Sequence, residues 1–135
     1  MSKESSKTAR IRRGGRILLA VLAGYLALIL LTTVAQEVMF SGIDYYDSPR
    51  DDLIFGGLAT FIAAVFSGMV AAILVDGRSV IPHLVISILI LTETTYLILS
   101  GTLRGPLWFD ILSGLALIIG VWAGHFAIRR FRYGG

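Results

Sequence analysis

Glu37 and Glu93 stand inside long apolar runs of this 135-residue chain. An acid held in hydrocarbon is expensive, by about 3 kcal/mol on insertion scales, so its presence marks a candidate site. Glu93 falls just past the middle of its run, roughly 5 Å beyond the bilayer midplane at 1.5 Å rise per residue. Thr92, Thr94 and Thr95 flank it, and Tyr96 and Ser100 share its face at helical spacing. Glu37 follows Gln36 near the end of the first run, closer to the headgroups. The expected site is an outward-opening polar pocket built from Glu93, Glu37, Gln36 and Tyr96. Two chemistries suit it: a neutral acid hydrogen-bonded within the bundle, or a group that binds and releases a proton or cation.

The remaining chemistry-bearing residues support less. His83 and His125 fall near the opposite interface, away from both acids, so a His–Glu pair is disfavoured by geometry. Zinc sites take at least three protein ligands, so two histidines without a nearby carboxylate read as interfacial hydrogen-bonding groups. There is no cysteine, which excludes disulfides and thiolate metal sites. No nucleophile, metal or cofactor constellation is present, so the expectation is a non-enzymatic protein without cofactor or metal.

The elements that must carry these residues follow from composition. Hydrophobic residues make up 56% of the chain and charged residues 16%, whereas a soluble domain is about a quarter charged. Four apolar runs, at about residues 17–40, 53–75, 80–100 and 107–128, reach the roughly 20 residues that a spanning helix requires. Hydrocarbon satisfies no backbone polar group, so these runs must be helices. The expected fold is all-α: a polytopic membrane protein with four transmembrane helices in an up-down bundle. Residues 1–15 read as a basic, disordered tail, residues 16–130 as the transmembrane domain, and residues 131–135 as a second tail.

Charge sets the orientation. Ten of the twelve Lys and Arg residues lie in the two tails and the second loop; Arg50 and Arg104 are the exceptions. Short-loop Lys/Arg bias then places both termini in the cytoplasm. The net charge of +3 therefore reflects topology, not nucleic-acid binding. The first run exceeds the 7–15 residues of a secretory h-region, so it reads as an uncleaved signal anchor. Tyr45, Tyr46 and Trp108 suit the outer headgroup level. Asp76-Gly77 marks a tight turn that makes the second and third helices an antiparallel hairpin.

Small residues indicate where the helices meet, because lipid supplies no hydrophobic drive for association. Thr60, Ala64, Gly68 and Ala72 form one ridge on the second helix, and Ala59, Ala63, Ser67 and Ala71 form another. Ala116, Gly120 and Gly124 repeat the spacing on the fourth helix, and Ala20 and Gly24 on the first. These faces are expected to meet, with the bulkier third helix packing on its hairpin partner. A homodimer seam, or contact with another membrane protein, is the alternative use of the same faces.

The run from Arg16 to Gly24, the run from Gly68 to Ala72 followed by His83, and Gly105 to Asp110 leading to Gly120 and Gly124 resemble small bacterial four-helix integral membrane proteins of unknown function. That resemblance implies a bacterial inner-membrane location and no particular activity. The functional expectation is a structural, accessory or partner-binding membrane protein. The alternative is a small proton- or cation-coupled carrier acting through Glu93.

Overall fold

The computed structural model describes residues 3–38, 46–102 and 106–134. It is all-helical over those residues: α1 (Lys3–Thr33), closing in a π-helical turn (Val34–Val38), α2 (Arg50–Leu74), α3 (Ile81–Leu99) and α4 (Leu107–Tyr133). All four helices are long and apolar enough to cross a membrane. The expected end of the first span at 39–40, the loop residue Tyr45 and the loop cation Arg104 lie outside the described residues.

Two helices extend beyond the expected spans. The basic segment expected to be disordered is the first part of α1, helical from Lys3. The spanning portion already supplies the costly helical nucleus, so adding turns of Lys, Arg and Glu requires no new nucleation. At the other terminus α4 continues to Tyr133, with Arg130 and Arg132 in its last turn. Cations there face the negative end of the helix dipole. Local chemistry sets the remaining boundaries. Asp51 and Asp52 occupy the first turn of α2, Pro82 the first turn of α3, and Pro106 caps α4.

The α2–α3 turn has an unusual residue at its centre. Asp76 has φ 56° and Gly77 φ 68°. The amide of Gly77 donates to the Ala72 carbonyl (2.8 Å) and that of Asp76 to the Ile73 carbonyl (3.1 Å), which is a Schellman ending with aspartate where glycine is usual. Side-chain contacts hold the strained aspartate in place. Arg132 of α4 pairs with its carboxylate at 2.5 Å and Arg16 of α1 at 3.4 Å, and the Tyr133 hydroxyl donates to its carbonyl at 2.8 Å. Both arginines favour the ionised form, and the Arg132 bond in particular holds the Asp76 carboxyl below its ordinary value of 3.8. One turn thus ties α1 and α4 to the α2–α3 hairpin at the end of the bundle that carries both termini, here called the terminal end.

The helices pack around a ring in the order α1, α2, α4, α3. The tightest seam joins α2 to α4, which run parallel. A Cβ at Gly120 would lie 2.7 Å from the Ala64 methyl, and one at Gly124 2.7 Å from the Met69 amide nitrogen. The two backbones are therefore in direct contact, as small-xxx-small faces allow. The other small face of α2 meets α1, where the Ser67 hydroxyl donates to the Gly24 carbonyl at 2.6 Å in a buried site. Ala64, Gly68, Ala72, Gly120 and Gly124 are all buried.

The expectation for α3 needs correction. It packs chiefly on α4 and α1 and touches its hairpin partner least. Both small faces of α2 are occupied by α1 and α4, so α3 closes the ring from the opposite side, with Ile86 and Ile90 filling the centre. Outward-facing Leu18, Leu22, Leu26 and Leu30 give α1 an apolar stripe at spacing four, the surface a lipid-facing helix presents.

Candidate functional site

Away from the terminal end, residues of all four helices line a gap between them. A partly open cavity of about 730 Å³ fills the gap. Its polar wall includes Thr32, Gln36, Thr60, Glu93, Thr94 and Asp110, and apolar side chains such as Leu28, Phe61 and Ile90 complete it. The two carboxylates are its only charged groups among the described residues.

The structure divides the expected site residues. Glu93 and Gln36 line the cavity; Glu37 and Tyr96 do not. Glu93 itself is exposed on the cavity wall and not sealed between helices. Tyr96, although on a neighbouring helical position, is 68% exposed and points outward. Gln36 and Glu37 are adjacent within the π-helical turn Val34–Val38 and so point to different sides of it. Gln36 reaches across to α2, where its amide donates to the Thr60 hydroxyl at 3.4 Å, while Glu37 is exposed.

Sequence reasoning missed the main partner of Glu93. The Tyr25 hydroxyl of α1 donates to its Oε2 at 2.7 Å. Tyr25 sits in an uninterrupted apolar run and carries no local polar signal. Its spacing of eight from Thr33, two helical turns on the same face, is the sequence feature that could have flagged it. Asp110, left out of the expected site, lies in the first turn of α4 and lines the same cavity. Thr94 packs against Gly114, whose missing Cβ would lie 3.0 Å from the threonine hydroxyl. That contact holds α3 against α4 directly beside Glu93.

The histidines also differ from expectation. His83 and His125 are fully buried between the helices. Their ring centres are 4.3 Å apart, tilted by 59°, and Trp122 lies 5.9 Å from one and 6.0 Å from the other. His83 Nε2 lies 2.9 Å from the Gly68 carbonyl oxygen. The indole of Trp122 donates to the Ser87 hydroxyl at 3.0 Å, which in turn donates to the His83 carbonyl at 2.7 Å. Close approach of α2 and α4 at Gly68 and Gly124 is what draws these rings inside. Among the described residues no set of three or more His, Cys, Asp or Glu side chains converges.

The cavity and the histidine cluster thus occupy different halves of the bundle, separated by buried Ile86 and Ile90. Among the described residues that line it, the cavity carries only the negative charges of Glu93 and Asp110. Comparison with protein-family models, curated proteins and solved structures finds no match for this chain.

Proposed function

We propose that this chain is a multi-pass protein of the bacterial inner membrane, with both termini cytoplasmic, that binds a small organic cation in its outward-facing cavity. The observation that carries this reading is the placement of Glu93 on the wall of a cavity with two carboxylates and, among the described residues, no basic side chain. Small-molecule sites typically occupy about 300–1,000 Å³, mostly apolar with a few placed polar groups. The cavity fits that description, and a protonated amine with an apolar body complements it: the cation faces Glu93 and Asp110, the body lies on Leu28, Phe61 and Ile90. A bare proton or metal ion needs neither the volume nor the apolar wall. Such a site belongs to a carrier or a sensor, not to a catalyst.

A second reading, an accessory membrane protein in which Glu93 serves packing, draws on the Tyr25 hydrogen bond, which already gives the acid a partner. Binding of a fluorescent quaternary ammonium dye to the protein in nanodiscs separates the two. The cation-site reading expects saturable binding that Glu93→Gln abolishes and Glu37→Gln leaves intact, both variants keeping wild-type thermal stability. The accessory reading expects no saturable binding, a neutral Glu93→Gln, and a loss of about 0.6–2 kcal/mol for Glu93→Leu, the range of polar contacts between membrane helices.

A further inference from the structure

Tyr133, in the last turn of α4, sits among arginines whose charge is not balanced by acids. Its hydroxyl donates to the Asp76 carbonyl at 2.8 Å and accepts from Nε of Arg78 at 3.3 Å. Gly77 sets the turn against the same stretch of α4: a Cβ there would lie 3.6 Å from the Arg129 Cα and 3.6 Å from the Tyr133 ring. Arg129 and Arg130 precede Tyr133 by four and three residues, so they share its side of the helix. The acid of the turn, Asp76, is already paired with Arg132 and Arg16. Among the described residues, the guanidinium groups of Arg129 and Arg130 make no ion pair or hydrogen bond, and Arg78 engages only its Nε. A guanidinium carries five N–H donors, so most donors of this group have no acceptor in the protein.

The surface beside these arginines is amphipathic. Phe126, Arg129, Arg130, Tyr133 and Gly134 line one open groove of about 530 Å³ along α4. Phe126 is 55% exposed and lies about 5 Å deeper along the helix than the arginines, at 1.5 Å rise per residue. We propose that this groove binds an anionic phospholipid of the leaflet at the terminal end, its phosphate held by Arg78, Arg129 and Arg130 and an acyl chain laid along Phe126. The chemistry selects the ligand. Guanidinium forks match phosphate oxygens two at a time. Three cations beside an already neutralised carboxylate favour a headgroup of net negative charge over a zwitterion. Basic pockets at the ends of membrane helices take such headgroups. A free phosphate ion satisfies the arginines but makes no use of Phe126. The groove lies at the opposite end of the bundle from the outward cavity and is independent of what that cavity holds.

Native mass spectrometry of the full-length protein in detergent, titrated with phosphatidylglycerol or phosphatidylcholine, reads lipid binding directly. Phosphatidylglycerol is expected to bind tighter by about tenfold or more, because choline cancels the phosphate charge of the other lipid. Arg129→Gln and Arg130→Gln should each weaken phosphatidylglycerol binding about fivefold, the effect of one charge near an anionic headgroup. Arg50→Gln removes the same charge at the other end of the bundle and should change nothing, and Glu93→Gln should bind like wild type. Inorganic phosphate in excess should leave the bound lipid in place. Displacement of the lipid by phosphate would mark a free-anion site instead. Equal affinity for the two lipids, or an equal loss in Arg50→Gln, would reduce the effect to diffuse charge attraction. Each of these three results overturns the assignment, and the comparison of the two lipids on wild-type protein stands even if a variant folds poorly.

Discussion

Replacing Gly68 with alanine adds one methyl group at the tightest point of the bundle. The added Cβ would sit 2.7 Å from the Val121 carbonyl carbon and 2.9 Å from its Cα, with the carbonyl oxygen nearer still. Ordinary contact begins at 3.4 Å. The obstacle is backbone, which cannot rotate aside as a side chain can, so α2 and α4 must part by roughly 1 Å. Dispersion falls steeply over such a gap, forfeiting a quarter to a half of each contact's well. Overpacking in soluble cores costs about 1–3 kcal/mol, and a backbone obstacle places Gly68→Ala at the upper end. Against this, alanine is about 1 kcal/mol better than glycine in a helix, which offsets part of the loss. The net destabilisation is about 1–2 kcal/mol. Gly57, also on α2 and with nothing within 4 Å of its added Cβ, is the control: Gly57→Ala should be neutral or stabilising. Thermal unfolding in detergent, read by helical circular dichroism, measures both. Combining Gly68→Ala with Gly124→Ala should cost less than the two losses added, since one separation of the seam relieves both clashes. Equal stability of Gly68→Ala and Gly57→Ala would refute the close-backbone seam.

Tyr25→Phe removes the hydroxyl that reaches Glu93 and should cost about 0.6–1.7 kcal/mol, read by the same unfolding assay; no change would mean that the bond contributes nothing. The Asp76 clasp should respond to acid. Its carboxyl is held below 3.8 chiefly by Arg132, so its stabilisation is complete above that value and fades as the pH falls below it. The melting-temperature gap between wild type and Asp76→Asn should therefore be constant near neutral pH and close in acid; a gap that widens in acid contradicts the pairing. For topology, a periplasm-active reporter should be silent at the C-terminus and active when inserted between Asp47 and Arg50, and an active C-terminal fusion would invert the assignment.

The spans are legible in the sequence because hydrocarbon thickness imposes a minimum apolar length, and each run meets it. The small-residue ridges are legible for a related reason: without hydrophobic drive, only close backbone approach holds such helices together. Neighbour order is harder to read. A short Asp-Gly link makes α2 and α3 antiparallel, but it does not make them the best-packed pair, and α2 has smaller surfaces to offer α1 and α4. Tyr25 looks like one more lipid-facing residue because its polarity lies in a single terminal atom. Adjacent helical residues never share a face, so Gln36 and Glu37 could not both have lined one pocket wall. Depth misleads for the histidines: a position near a helix end reads as interfacial, yet close packing at Gly68 and Gly124 draws both rings into the core. Composition alone suggests disorder in the basic segment, because it ignores the long helix that the segment adjoins.

The ring order α1, α2, α4, α3 has a consequence for biosynthesis. A ribosome delivers the helices in sequence, yet the partner that fits α2 most closely is made last. Until α4 emerges, Ala64 and Gly68 present a bare backbone groove to lipid, with α3 already inserted and anchored to little. Such a nascent intermediate presents the kind of surface that an insertion factor can cover, and a chain truncated after α3 would retain that surface permanently. Quality control that recognises an unfilled glycine groove would thus distinguish finished molecules from aborted ones by whether the last helix has arrived.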